Sequence, residues 1–155
     1  MPIDLEQKLS RHFKLKDLIR TSNRKIDNTP TEEVVAELTT LAKDFLEPIW
    51  EKFGQLYVTS GYRCSKLNTS IGGAKNSAHK FGCAADFVAV EKIYKCQQVV
   101  TWIVDKSGLE FDQVIDEYSP TSNWVHLGNI RPGYETVARK QALTFKDGKY
   151  IAFVK

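Results

Sequence analysis

The stretch Ser77-Ala78-His79-Lys80-Phe81-Gly82-Cys83-Ala84-Ala85-Asp86 decides the reading of this chain. It sets a histidine and an aspartate seven residues apart across a small, glycine-containing run. Cys83 to Ala89 has the small and apolar composition of a buried strand, and Asp86 is the exception within it. A carboxylate buried there without a partner is costly. Asp86 therefore requires a metal ion, an arginine or hydrogen-bond donors; a structural salt bridge or a turn-capping role is the plainer alternative. Strand alternation puts Ala84, Asp86 and Val88 on one face, and the small alanines leave room around the carboxylate. The loop carrying His79 can fold back over a bend at Gly82 to reach the start of that strand.

The chain has only three histidines, and a second lies in Trp124-Val125-His126. On a strand Trp124 and His126 share one face and Val125 takes the other. Two histidines and one carboxylate form a complete three-ligand set for catalytic zinc, with the fourth position open. Such a centre also needs a base and positive charge for a developing oxyanion. Glu117 is the candidate base, because its strand precedes that of His126 through a short turn. Asp116 faces the opposite way. Arg63 ends the segment Val58-Thr59-Ser60-Gly61-Tyr62-Arg63 and is the candidate electrophile, since a guanidinium grips a carboxylate or carbonyl at two points. Trp124 is placed to shield one side of the site. Taken singly, each of these residues also has an ordinary structural reading, as a core or surface side chain.

Working outward, Thr29-Pro30-Thr31-Glu32 reads as a helix start, with Thr29 as cap, Pro30 in the first helical position and Glu32 completing a capping box. Val34, Leu38, Leu41, Phe45, Ile49 and Phe53 form one apolar helical stripe ended by Gly54. Gln55–Thr59 is predicted as a strand, Cys64–Ile71 as a short helix broken by Gly72-Gly73, and Cys83–Ala89 as a strand. Glu91–Lys106 is a second amphipathic helix with Ile93, Val100, Ile103 and Val104 on one side. Phe111–Tyr118 and Asn123–Leu127 are strands joined by Ser119-Pro120-Thr121-Ser122. Ala142–Phe145 and Tyr150–Val154 flank the turn Asp147-Gly148 and read as sheet completion, not as part of a site. Helices come first and strands cluster late, which predicts an α+β fold with a mostly antiparallel central sheet and flanking helices.

At 155 residues the chain is expected to form one domain over 1–155, and its 42% hydrophobic and 26% charged residues are those of an ordinary globular protein. A net charge of +3 suits contact with an anionic polymer, and no basic stripe interleaved with aromatics argues for nucleic acid. No apolar run reaches membrane-spanning length, so no membrane insertion is expected. Cys64, Cys83 and Cys96 are odd in number and lack paired spacing, which fits no disulfide framework. No heptads appear, so a monomer is expected.

Ser60-Gly61-Tyr62-Arg63, Leu67-Asn68, Gly72-Gly73-Ala74, Ser77-Ala78-His79 through Asp86, and Trp124-Val125-His126 together resemble the zinc D-Ala-D-Ala carboxypeptidase family, which includes VanX-type dipeptidases and phage L-alanyl-D-glutamate endolysins. Phe13-Lys14-Leu15, Asp27-Asn28-Thr29-Pro30 and Leu46-Glu47-Pro48 match its N-terminal pattern, so the resemblance runs from Phe13 to Leu127. It implies zinc bound by His79, Asp86 and His126, Arg63 polarising the scissile carbonyl or holding substrate, Ser77 as a substrate contact, and the compact fold shared with the hedgehog signalling domain. It also implies action on peptidoglycan stem peptides or cross-links, as a D,D-carboxypeptidase or an endopeptidase. There are departures. Many relatives carry the catalytic acid three residues before the last histidine, where this chain has Asn123. Trp50 stands where an arginine often follows the Glu-Pro pair. Ile115-Asp116-Glu117 matches the Ile-x-Glu of another branch, which transfers the base to Glu117. The Asn123 departure leaves a second reading, an inactive zinc-stabilised wall-binding module. The start Met1-Pro2-Ile3-Asp4-Leu5-Glu6 has no basic or apolar leader region, so the expectation is cytoplasmic synthesis with release to the wall by a lysis system or virion, or a form lacking its leader.

Overall fold

The computed structural model describes residues 2–155. The apolar stripe folds as one long helical run. It comprises α1 (Glu32–Leu41), a π-helical stretch (Ala42–Leu46) and α2 (Glu47–Phe53), with Leu38, Leu41, Phe45, Ile49 and Phe53 buried. Pro48 lacks the N–H that would reach back to the Asp44 carbonyl, and the backbone widens just ahead of it. Gly54 ends the run with φ +80°.

The cap differs from the sequence expectation. Thr31, not Thr29, accepts from the Val34 N–H, and the helix begins at Glu32. Thr29 bonds Asp27 instead. The reason is long-range. The buried Asn28 side chain donates to the carbonyls of Ile19 and Tyr62 and accepts from the Cys64 N–H, which holds this segment outside the helix.

Six strands form one sheet in the order β1-β2-β4-β3-β5-β6: β1 (Leu56–Ser60), β2 (Ala84–Ala89), β3 (Gln113–Tyr118), β4 (Asn123–Gly128), β5 (Gln141–Lys146) and β6 (Lys149–Ala152). Every pairing is antiparallel except β3 with β5. This is the α+β, mostly antiparallel architecture the sequence predicts. Two shorter helical pieces, α3 (Ser65–Ser70) and α4 (Cys96–Asp105), complete the helices, and a 3-10 turn covers Ala78–Phe81.

Period-two alternation divides the sheet. Ala85, Phe87, Val114, Val125 and Leu127 point into the core with Val99, Val100 and Ile103 of α4. Asp86, Trp124 and His126 turn to the other face and line a cleft. α4 is shorter than expected: Glu91–Lys95 is a turn, so Ile93 lies outside the helix and is 74% exposed, not on its buried side. The three cysteines are free. Among the described residues no helix is long and apolar enough to cross a membrane.

Candidate metal centre

His79, Asp86 and His126 converge. One ligand atom from each lies within 4.8 Å of the others, and all three residues are buried. The register explains the meeting, because Asp86 on β2 sits directly opposite His126 on β4. His126 Nδ1 is 2.9 Å and His79 Nε2 3.3 Å from the same oxygen, Asp86 Oδ1. His79 arrives from the 3-10 turn, which the Ser77 hydroxyl caps by accepting from the His79 N–H at 3.2 Å. Gly82 closes that turn with φ +73°, the left-handed conformation that a glycine adopts without strain.

The donor set fits a divalent cation. His79 Nδ1 lies 2.7 Å from the Gly61 carbonyl oxygen, which fixes its proton on that nitrogen. Burial pulls the His79 pKa below the ordinary histidine value, which favours the neutral ring. Its Nε2 lone pair therefore faces a carboxylate lone pair. Two acceptors turned toward each other are satisfied by a cation between them. Burial also disfavours the charged form of Asp86, and only a proton taken up by the histidines beside it would counter that and hold the carboxyl below the usual range. For His126 burial works downward, and the bond to Asp86 more than reverses it. Cys83 is not part of the cluster; burial and then Glu37 push its thiol up to about 12.

Arg63 is immobilised beside these groups. Its Nη2 donates to Asp86 Oδ2 at 3.3 Å, Nε to Ser60 Oγ at 3.0 Å and Nη1 to Asn68 Oδ1 at 3.3 Å. The Arg63 backbone N–H donates to the His79 carbonyl at 3.0 Å, tying the two segments together. Asn68 is itself buried and donates to the Ala74 carbonyl at 2.8 Å, so it links Arg63 to the loop after Gly72-Gly73. The Leu67-Asn68 motif carries no local mark of this bridging role.

Glu117 and Trp124 face each other across β3 and β4 and both line the cleft. Burial first, then the Asp86 charge, raises the Glu117 pKa above the ordinary carboxylate value. Asp116 points away, bonded by the Tyr118 hydroxyl and by Asn123 Nδ2 at 2.8 Å. Asn123 also donates to the Glu117 carbonyl at 2.7 Å, so its side chain locks the end of the strand pair and stays out of the cleft.

The cleft encloses about 500 Å³ and brings together Arg63, Ser77, His79, Asp86, Glu117, Trp124 and His126. It also overturns one expectation. The C-terminal segment is not sheet completion alone: Arg131, Arg139 and Tyr150 line the same cleft. The parallel pairing of β5 on β3 carries the hairpin beside Glu117, and no sequence pattern announces that crossover.

The family model described as Peptidase M15 matches residues 11–128. No curated protein matches the chain.

Proposed function

The chain belongs to the Peptidase M15 family, and on that premise we propose that it is a zinc metallopeptidase that hydrolyses peptide bonds in the stem peptides or cross-links of bacterial peptidoglycan. The observation that carries this reading is the buried His79–Asp86–His126 cluster with Arg63 on its carboxylate and Glu117 in the same cleft. Its motifs resemble those of VanX-type dipeptidases and phage endolysins. In this reading the C-terminal hairpin, beyond the matched residues, belongs to the same domain, and the protein acts as a monomer.

His79, Asp86 and His126 would hold the zinc ion. When bound, zinc supplies Lewis acidity, polarising a carbonyl and making a water acidic enough to lose a proton near neutral pH. The Glu117 carboxylate takes that proton and delivers it to the leaving amine. Partial burial suits Glu117 to this shuttle, because it raises the carboxylate's basicity. The Arg63 guanidinium, held by Ser60 and Asn68, presents positive charge to the substrate carbonyl oxygen without having to reorganise. Ser77 and Trp124 line the substrate path.

The inactive wall-binding alternative drew its support from Asn123. That side chain is consumed by Asp116 and the Glu117 carbonyl, while an acid stands in the cleft two strand positions past Ile115, so Asn123 gives no reason to read the site as dead.

Incubation with defined muropeptides, with and without a chelator, tests the proposal by the mass of the released fragments. Chelator-sensitive peptide cleavage is expected. Intact muropeptides after exposure to the zinc-loaded protein would refute it.

A further inference from the structure

Asp86 and His126 are set by paired strands of the sheet, whereas His79 reaches the cleft on a loop. Its place therefore depends on what holds that loop. The segment between α3 and the 3-10 turn opens with Gly72-Gly73 and carries Ser77, whose hydroxyl caps the His79 turn. Asn68 ties it at Ala74. A second tie comes from the residues that follow β4. Arg131 Nη1 donates to the Asn76 carbonyl, and the Tyr134 hydroxyl donates to Asn76 Oδ1 at 3.1 Å. The Tyr134 ring also meets Phe81, with ring centroids 5.4 Å apart. Asn76 and Phe81 flank Ser77 and His79, so the turn is held at both ends. The Asn129 N–H adds a bond to the Cys83 carbonyl at 2.7 Å, just before β2 begins.

The holding residues are themselves braced. Arg131 Nε lies 2.9 and 3.1 Å from the two Glu135 carboxylate oxygens, and Nη2 lies 2.6 Å from one of them. This two-point pairing fixes the plane of the guanidinium. The Arg131 backbone N–H donates to the same carboxylate at 3.2 Å. The guanidinium also lies over the Tyr134 ring, 4.6 Å from its centre. An arginine–glutamate pair near the surface contributes little by itself. Here the pair aims a further donor at main chain 55 residues earlier, next to the cap of a candidate metal ligand.

We propose that Arg131, Tyr134 and Glu135 form a clamp that positions His79 for the metal through Asn76 and Ser77. The inference rests on the zinc site of the reading above. The three are positioning residues, since none belongs to the His79–Asp86–His126 cluster. The Gly61 carbonyl orients the His79 ring, and the clamp sets where the whole turn sits. A ligand on a loose loop loses conformational freedom when the ion binds, which weakens affinity. A loop already clamped has lost that freedom beforehand. Arg131, Tyr134 and Glu135 all lie beyond residues 11–128 matched by the family.

Two measurements read the metal site without any peptide. One is zinc affinity by chelator competition, and the other is the visible absorption spectrum of the cobalt-substituted protein. Arg131→Gln is expected to weaken zinc about tenfold, the low end for an outer partner of a metal ligand, and to alter the cobalt spectrum. Tyr134→Phe, which removes only the hydroxyl, is expected to weaken zinc about fivefold, the loss expected for one hydrogen bond. Glu47→Gln controls for lost stability, because it breaks the bonds to Ser10 and His12 away from the cleft. It is expected to keep wild-type affinity and spectrum. Wild-type affinity and spectrum in Arg131→Gln overturn the clamp whatever the melting temperature does, and Tyr134→Phe decides by the same measure if Arg131→Gln fails to fold. An equal loss of affinity in Glu47→Gln also overturns it, because the effect then follows stability alone. A wild-type protein that binds no zinc refutes the metal site and the clamp together. One that binds zinc and cuts no muropeptide refutes only the peptidase reading.

Discussion

The His79 ring is held by the backbone of Gly61, with Nδ1 at 2.7 Å from the carbonyl oxygen. That carbonyl is fixed in turn, because Gly61 packs directly on Leu18. A Cβ added at Gly61 would stand 2.1 Å from the Leu18 carbonyl oxygen. The Tyr62 N–H donates to that same oxygen at 2.7 Å. The orientation of a candidate metal-ligand imidazole is thus decided by a backbone contact with the N-terminal segment.

Gly61→Ala is therefore expected to displace the Gly61 carbonyl and free the His79 ring. Zinc affinity, measured by competition with a chromophoric chelator, should fall roughly 10- to 100-fold, the usual cost of losing an outer partner of a metal ligand. The melting temperature should fall as well, because the Leu18 contact lies in the core. Unchanged zinc affinity would show that the carbonyl does not position the ring.

Glu117→Gln and His126→Ala separate base from ligand. Glu117→Gln should retain one equivalent of zinc by metal analysis while turnover falls about 100- to 10,000-fold, the range for loss of a general base. His126→Ala should lose zinc and turnover together. Full activity in Glu117→Gln would remove it from the proton transfer.

Asn123→Asp tests the position at which many relatives carry the acid. Here it would set two carboxylates against each other, since Asn123 Nδ2 is 2.8 Å from Asp116 Oδ1. The expected outcome is a loss of stability of about 1–3 kcal/mol by urea unfolding, with no gain in turnover. A large gain in turnover would mean that residue 123 can reach the substrate.

Glu47 gives a pH dependence away from the cleft. Its carboxylate accepts from Ser10 Oγ and from the His12 backbone N–H, each at 2.6 Å, and pairs with the His12 ring at 2.7 Å. Burial disfavours its charged form, but these donors hold its carboxyl below the ordinary range. A depressed folded-state pKa stabilises the fold above the unfolded-state value of about 4.3, and that contribution disappears as pH falls through the lower folded value. Glu47→Gln should therefore cost about 1–2 kcal/mol at neutral pH and progressively less in acid, read from urea midpoints across pH. A difference that grew in acid would contradict the assignment.

Much of the fold is legible in the sequence because it rests on local periodicity. Leu38 to Phe53 repeats at helical spacing, and Ala84 to Phe87 alternates with one anomalous acid. Asp116 and Glu117 must face oppositely because they are neighbours on a strand. What escaped the sequence is set at long range. Thr29 and Thr31 are equivalent as local caps, and the choice between them is made by Asn28 reaching Tyr62 and Cys64. Ile93 continues an apolar pattern but falls in a turn before α4. Arg131, Arg139 and Tyr150 reach the cleft only because β5 crosses over to pair in parallel with β3, and their own sequence carries no mark of that destination.

The crossover also gives the chain an order of assembly. A ribosome that has released residues 2–128 has made all three candidate ligands, yet the strand bearing Glu117 still lacks its outer neighbour. Since nascent chains fold from the N-terminus onward, the cleft wall bearing Tyr150 is added only after His79, Asp86, His126 and Glu117 have all been made.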